Sequence, residues 1–194
     1  MSAKRPKLVE CGVLLIVFIL FFSFFLFNFI SINSKYPDRK ELIYSIGDEF
    51  TYNGISITVV DCNLFDSDDF ETEILNGFKS SIWGNELGQW KELLLTIRLD
   101  NTTDKICQFD CSSLLIQSES WWNGLDSITF MELNRLESLT IEMEPSSSFV
   151  LYFPYNLLQI QFRFSDWEAI MDREFELIGS VYPITQVVKM RANR

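Results

Sequence analysis

Two hydrophobic rhythms divide the chain. From Cys11 to Ile32 apolar residues follow one another without a charge, and only Ser23, Asn28 and Ser31 are plainly polar. From residue 44 onward the pattern changes to short alternating runs separated by turn residues. As a helix the first stretch spans roughly 33 Å, enough for a hydrocarbon core of about 30 Å. Each central Leu, Ile, Val or Phe favours insertion by about 0.3–0.6 kcal/mol, and seven phenylalanines lie in this run. Residues 11–32 are therefore expected to form a transmembrane helix rather than a buried core helix.

The second rhythm predicts strands. Glu49–Tyr52 and Ile55–Val60 flank Asn53-Gly54, a pair suited to a type I′ turn because both central residues need positive φ. Leu93, Leu95, Ile97 and Leu99 occupy every odd position of one run, which is read as ending in the turn Asp100–Asp104. Further strands are predicted at 106–111, 114–118, 139–143, 149–153, 158–164 and 174–182. In the 158–164 run, Leu158, Ile160, Phe162 and Phe164 are expected to share a face opposite Gln159, Gln161 and Arg163. Asp66–Gln89 is irregular, with a short helix expected at 70–75 that Asn76-Gly77 stops. About eight half-buried strands need two sheets that cover one another, so an all-β sandwich is the expected fold.

The chain is thus read as a tail at 1–10, a span at 11–32, a linker at 33–43, a sandwich domain at 44–185 and a basic tail at 186–194. Lys4, Arg5 and Lys7 precede the span while Lys35, Arg39 and Lys40 follow it, so basic residues alone do not orient it. The short first tail also carries the chain's own amine, and long domains translocate largely regardless of charge. A signal-anchor with its N-terminus in the cytoplasm and its domain outside is the expected topology. Cleavage is disfavoured by a run longer than a signal-peptide core and by Ser31-Ile32-Asn33-Ser34, a poor cleavage site. Asn28, one turn from the outer end, is expected to reach interfacial water.

Composition narrows the function. Of 27 acidic residues only Glu10 precedes the span, leaving 26; of 16 basic residues three precede it, leaving 13, so the outer part carries about −13. Such a surface repels nucleic acid and anionic lipid and favours a basic partner. Histidine is absent, which removes Ser-His-Asp and Cys-His catalysis and histidine zinc sites. Carboxylate pairs would be the remaining acid–base machinery, and nothing singles out two of them, so no enzyme activity and no cofactor are expected.

Four candidate groups of residues remain. Trp121 and Trp122 are adjacent, so an extended loop would send them to opposite sides; either one ring packs against the sandwich end and the other is partly covered by Phe130, or an exposed ring meets a partner. Trp83 and Trp90 in the irregular segment carry the same suspicion. Asp66, Asp68, Asp69, Glu71 and Glu73 could hold Ca²⁺, but Glu71 falls where a calcium loop needs glycine, so a solvated acidic loop is the plainer reading. Cys62 could bridge to Cys107 or Cys111, or all three could be free thiols, since an odd number outside the span is unlike a disulfide framework. Asn101-Thr102-Thr103 fits the N-glycosylation pattern.

An anchor followed by Ile46-Gly47-Asp48-Glu49-Phe50 and Asn53-Gly54-Ile55-Ser56-Ile57 resembles the start of telokin-like, immunoglobulin-fold extracellular domains of Gram-positive bacteria. The resemblance continues through Leu95–Asn101, Phe109–Gln117 and Met143-Glu144-Pro145. Phe164-Ser165-Asp166-Trp167, Phe175-Glu176-Leu177 and Tyr182-Pro183 are similar to uncharacterised anchored proteins of streptococci and enterococci. The Asp66–Gln89 insertion departs from the simplest pattern. The resemblance implies an immunoglobulin-like sandwich outside the cell and supplies no catalytic residues. A membrane-anchored binding module, in an immunity or accessory role that captures a basic protein or peptide, is the expected function. The alternative is a structural or sensory subunit of a cell-envelope complex that contacts its neighbours through the anchor. Mass spectrometry of the membrane fraction should find a mature N-terminus upstream of Cys11; one beyond Ile32 would show cleavage.

Overall fold

The computed structural model describes residues 6–35, 40–75, 88–181 and 184–193. Two compact units contain them, divided between Arg39 and Lys40. The first is helix α1, Pro6–Lys35. Proline suits a first helical turn because its missing N–H would be unpaired there anyway. Within Gly12–Lys35 an 18-residue window reaches a mean hydropathy of 2.9, and none of it is buried in protein. It is long and apolar enough to cross a membrane. Asn28 does not need interfacial water for its donor, because Nδ2 donates to the Phe24 carbonyl 2.7 Å away, one turn back.

The second unit is a β-sandwich. One sheet holds β2 (Glu49–Tyr52), β3 (Ile55–Asp66), β4 (Trp90–Asn101) and β9 (Ser148–Leu158) in that order. The other runs β1 (Lys40–Ser45), β11 (Ile184–Arg191), β10 (Glu174–Ser180), β6 (Leu115–Ser118) and β7 (Trp121–Asn123). A small third sheet pairs β5 (Cys107–Asp110) with β8 (Thr140–Met143). All pairs are antiparallel except β1 with β11. The predicted hairpin is present, with Asn53 at φ 51° and Gly54 at φ 82°.

Alternation builds the core. Leu93, Leu95, Ile97 and Leu99 on β4 and Leu151, Phe153, Tyr155 and Leu157 on β9 all point inward. On β3 the inward phase starts at Ile55, Ile57 and Val59, then switches to Cys62 and Leu64. The switch is a bulge: the ladder slips between Val59 and Asp61, leaving Val60 exposed. Without it the second half of β3 would present the wrong face. Phe175 and Leu177 of β10, Ile116 of β6 and Val188 and Met190 of β11 close the core from the other sheet.

Several expectations are corrected. Residues 40–43 of the linker and 186–191 of the basic tail belong to strands β1 and β11, and β11 lies inside a sheet with Val187, Val188 and Met190 buried. Lys189 is paired with Glu176 (3.1 Å) and Glu174 (3.7 Å) instead of free. With β7 as well, the described residues hold eleven strands where eight or so were expected. The 158–164 strand does not form: β9 ends at Leu158, a 3₁₀ turn covers Gln159–Gln161 and helix α4 covers Phe164–Glu168, so Ile160 and Phe164 are exposed. Helix α2 (Ser67–Asp69) and a π-helical turn (Phe70–Ile74) occupy the expected short helix; Asn76-Gly77 lies outside the described residues. Helix α3, Ser127–Asn134, was not anticipated. Its start is nonetheless written locally, since Asp126 accepts from Thr129 N (3.2 Å) and Thr129 Oγ1 (2.8 Å) as an N-cap.

Asn101 is part of β4 and not of a turn. It is 1% exposed; Nδ2 donates to the carbonyls of Lys105 (2.7 Å) and Met143 (2.9 Å), and Oδ1 accepts from Thr103 N (3.0 Å). The apparent glycosylation asparagine therefore stitches the end of β4 to the β8–β9 connection. Gly179 sits where the β10–β11 ladder slips, against the Phe50 ring. A Cβ there would lie 2.5 Å from Phe50 Cε2, and Phe50 is itself buried beside Tyr44. Gly179→Ala should therefore destabilise the domain by about 1–3 kcal/mol through overpacking, read as a lower urea midpoint of the full chain in detergent. An unchanged midpoint would mean the ring has room to move.

Candidate binding cleft

The tryptophans separate into different roles. Trp122 on β7 is 67% exposed, whereas Trp121 turns inward, stacks at 5.2 Å on Phe162 and donates from Nε1 to Gln161 Oε1 at 3.2 Å. The two do point to opposite sides, but the cover is Phe162; Phe130 is buried against Phe153 instead. Trp90 is no surface anchor. It is 8% exposed and meets Phe70 edge-on in a second apolar cluster with Leu75 and Leu94. Trp83 lies outside the described residues.

The acidic cluster and the cysteines lose their proposed chemistry. Among the described residues no three His, Cys, Asp or Glu side chains converge as a metal site. Asp66 is paired with Lys91, and Asp68 and Asp69 lie in α2. Cys62, Cys107 and Cys111 are free thiols. Burial, with help from Asp61, pushes the Cys62 thiol up to about 12. Burial and Asp110 do the same to Cys111. Neither is a nucleophile at neutral pH.

A different site emerges where β9 ends. The edge of β9 that faces away from β4 is closed group by group. Asn134 clamps Tyr152, accepting from its N–H at 2.9 Å and donating to its carbonyl at 2.8 Å. Asp126 N donates to Pro154 O at 2.9 Å, and Asn123 Nδ2 donates to Asn156 O at 2.8 Å. Leu158 N donates to Gln161 Oε1 at 3.1 Å. These bonds hold the β7–α3 connection and the 3₁₀ turn against the strand, and a cleft of about 360 Å³ opens between them. Asn123 through Ile128 form one wall, while Asn156, Leu158 and Gln161 form the other.

The cleft is acidic and rests on a buried acid. Asp126 lines it, and no Lys or Arg does. Asn156 lines it while being only 4% exposed, and its Nδ2 donates to Glu92 Oε2 at 3.2 Å. Glu92 is 1% exposed. It sits on the even face of β4 between Trp90 and Leu94, with Asn156 its cross-strand partner. Burial first, and the Asp126 charge second, hold its carboxyl well above the ordinary carboxylate range; the Asn156 hydrogen bond opposes this. Glu92 Oε1 and Asn156 Oδ1 both lack a hydrogen-bond partner. A protonated Glu92 brings one O–H donor of its own to this buried pair.

Sequence reasoning missed Glu92, Asn156 and Asp126. The available signal was an acid inside Trp-Lys-Glu-Leu-Leu-Leu, a run apolar on both faces, together with the Asp-Ser-Ile-Thr helix start.

Fold and cleft define a β-sandwich domain preceded in the chain by an apolar helix. The chain belongs to the family described as Domain of unknown function (DUF5028), which it matches over residues 41–186. No curated protein matches it. It is similar to an uncharacterised β-sandwich protein from Clostridium difficile 630, seen in a crystal structure. Identity is 10%, with 79% of this chain and 97% of that chain covered at a TM-score of 0.45.

The folded state keeps the Glu92 proton over a pH range in which the unfolded chain has released it. That contribution to stability is complete below the ordinary carboxylate range and is lost as pH rises towards the folded value. Glu92→Gln has no such proton. It should match the native chain near pH 4 and gain on it above pH 5, by up to about 1.4 kcal/mol per pH unit. Parallel urea midpoints for the two proteins across pH 4–8 would refute a neutral Glu92.

Proposed function

We propose that this protein is a membrane-anchored, non-catalytic binding module that captures a basic protein or peptide on the outer side of the cell membrane. The observation that carries the reading is the cleft beside β9, acidic at its wall and above a buried carboxyl, with no basic side chain lining it. The charge of about −13 on the outer part adds long-range attraction for a cationic partner. Helix α1 serves as the anchor, with its N-terminus cytoplasmic. A histidine-free sequence supports recognition over acid–base catalysis.

The strand order supports an immunoglobulin-like, telokin-like arrangement. A first strand runs parallel to the last, and β9 returns to β4 across the β5–β8 pair, as in Greek-key sandwiches. Display on a Gram-positive cell surface accords with this arrangement. The obstructed edge of β9 argues for capture in the cleft instead of by strand addition, since both backbone groups of Tyr152, the carbonyls of Pro154 and Asn156 and the N–H of Leu158 are already engaged.

The test is affinity capture with the full-length protein in nanodiscs, using secreted and membrane proteins of the native cell. The retained partner should be basic, should survive 150 mM salt, and should be lost at least tenfold when Ser127→Arg places a cation in the cleft wall. Retention of neutral or acidic partners, or indifference to that substitution, would refute cleft-based capture. Partners lost only when α1 is replaced by an unrelated span would favour a subunit role in an envelope complex.

A further inference from the structure

Resting on the reading of α1 as a membrane-spanning anchor, we propose that the end of the sandwich at which β1 and β11 begin docks onto the phospholipid surface. Leu42, Ile43, Val181 and Ile184 settle there among the headgroups. The tether sets the distance. Lys35, the last residue of α1, lies three residues beyond Ile32, a rise of about 4.5 Å that leaves it inside a headgroup layer of roughly 5–8 Å. Five residue steps lead from Lys35 to Lys40, where β1 starts, and a fully extended chain covers them in at most about 18 Å. The start of β1 is therefore held near lipid by covalent connection.

The surface at this end is apolar and close to uncharged. β1 and β11 run parallel from Lys40 beside Ile184, so their first residues lie at one end of the sheet. Leu42 and Ile184 share a face there as diagonal neighbours, while Ile43 stands on the other face opposite Val187. Thr185 Oγ1 donates to Val181 O at 2.9 Å, which holds Val181 beside the start of β11. All four aliphatic residues are between 41% and 58% exposed. Across 40–45, 181 and 184–188 the charged residues are Lys40 and Glu41, which cancel, whereas the outer part as a whole carries about −13. Acidic repulsion from a phospholipid surface is thus weakest at the end that the tether keeps close. A neutral aliphatic patch complements the apolar glycerol and upper acyl region, and Lys40 has the stem to carry its ammonium to a phosphate.

The backbone limits the depth. Among the described residues β1 pairs with β11 alone, so its outer N–H and C=O groups face no further strand. Hydrocarbon would leave such groups unsatisfied, whereas water and phosphate oxygens at headgroup level can pair them. Docking is therefore shallow, and it shields an edge that would otherwise invite a foreign strand. Phe149, Val150 and Phe164 are exposed too, but they belong to β9 and α4, where no short connection to the span fixes their distance from lipid.

Photolabelling of the full-length protein, one copy per phosphatidylcholine nanodisc, tests this. The lipid carries a diazirine either near the glycerol or at the acyl chain end, and labelled residues are read by mass spectrometry. The shallow probe should label Leu42, Ile43, Val181 and Ile184 at least fivefold more than Phe149, Val150 and Phe164. The deep probe should label α1 and not this patch. Ile43→Glu combined with Ile184→Glu should cut shallow labelling of Leu42 and Val181 at least fivefold; if that variant fails to fold, the native comparison decides alone. Equal labelling of Phe149, Val150 and Phe164 would show chance collisions, and labelling confined to α1 a domain held clear of lipid. Patch labelling by the deep probe would show insertion, and patch labelling that falls fivefold in discs holding two copies would make a second copy the occupant. Each of these overturns the inference while leaving the anchor in place; absence of label from α1 itself would sink the anchor reading instead.

Discussion

Strand β4 is the constraint on which the domain depends. It is paired along its length on both sides, to β3 and to β9, from Trp90 to Asn101. One face carries Leu93, Leu95, Ile97 and Leu99 into the sandwich core, each fully buried. At about 1.5–3 kcal/mol per buried aliphatic side chain, this row alone is comparable to the net stability of a small domain. Over its first half the other face is covered too, by Phe70, Leu75 and Leu133, so Trp90 and Leu94 become a second core. Glu92 shares that doubly covered face, and the upward shift of its carboxyl follows from that position.

Asparagine side chains do for the sheet margins what backbone does inside the sheets. Asn101 satisfies carbonyls at the β8–β9 connection, Asn134 clamps Tyr152 on both its groups, and Asn123 takes the Asn156 carbonyl. An amide carries a donor and an acceptor in nearly the geometry of a peptide, so it can end a ladder without another strand. With Pro154 supplying no N–H, the β9 edge resists pairing with foreign strands. The same bonds bring the β7–α3 connection beside β9. The cleft is therefore a by-product of edge closure, built from elements that the fold already needs to hold rigid.

The groups that first draw attention as chemistry turn out to be framework. The two most buried thiols are pushed out of their reactive range by loss of solvent and by neighbouring aspartates. Arg173 is held by Glu119 (2.9 Å) and by Ser118 Oγ (3.1 Å), binding the loop before β7 to the approach to β10. Trp167 is buried, with its Nε1 donating to Gln89 Oε1 at 3.3 Å and the Lys91 ammonium 5.6 Å from its ring. Trp122 remains exposed, and among the described residues Ser56 Oγ, Glu92 Oε1 and Asn156 Oδ1 are buried side-chain atoms without a hydrogen-bond partner.

By itself the sequence determined everything governed by near neighbours: the apolar helix, the Asn53-Gly54 hairpin, the odd-position alternation of β4, and the two-sheet class that such alternation demands. These depend on periods of two or 3.6 residues and on backbone preferences at single turns. Tertiary structure alone decided which polar residues lost their water. Glu92 and Asn156 read as ordinary alternating polar positions until a second layer covers that face, and Trp90 differs from Trp122 for the same reason. It also recruited 40–45 and 184–191 into one sheet, because a parallel pair joins segments about 140 residues apart and leaves no local turn signal. The 158–164 run alternates as a strand should, yet the chain turns there, with Gln161 Oε1 accepting from Leu158 N three residues back and from Trp121 Nε1 forty residues away, and only the second of these contacts lies outside a local window.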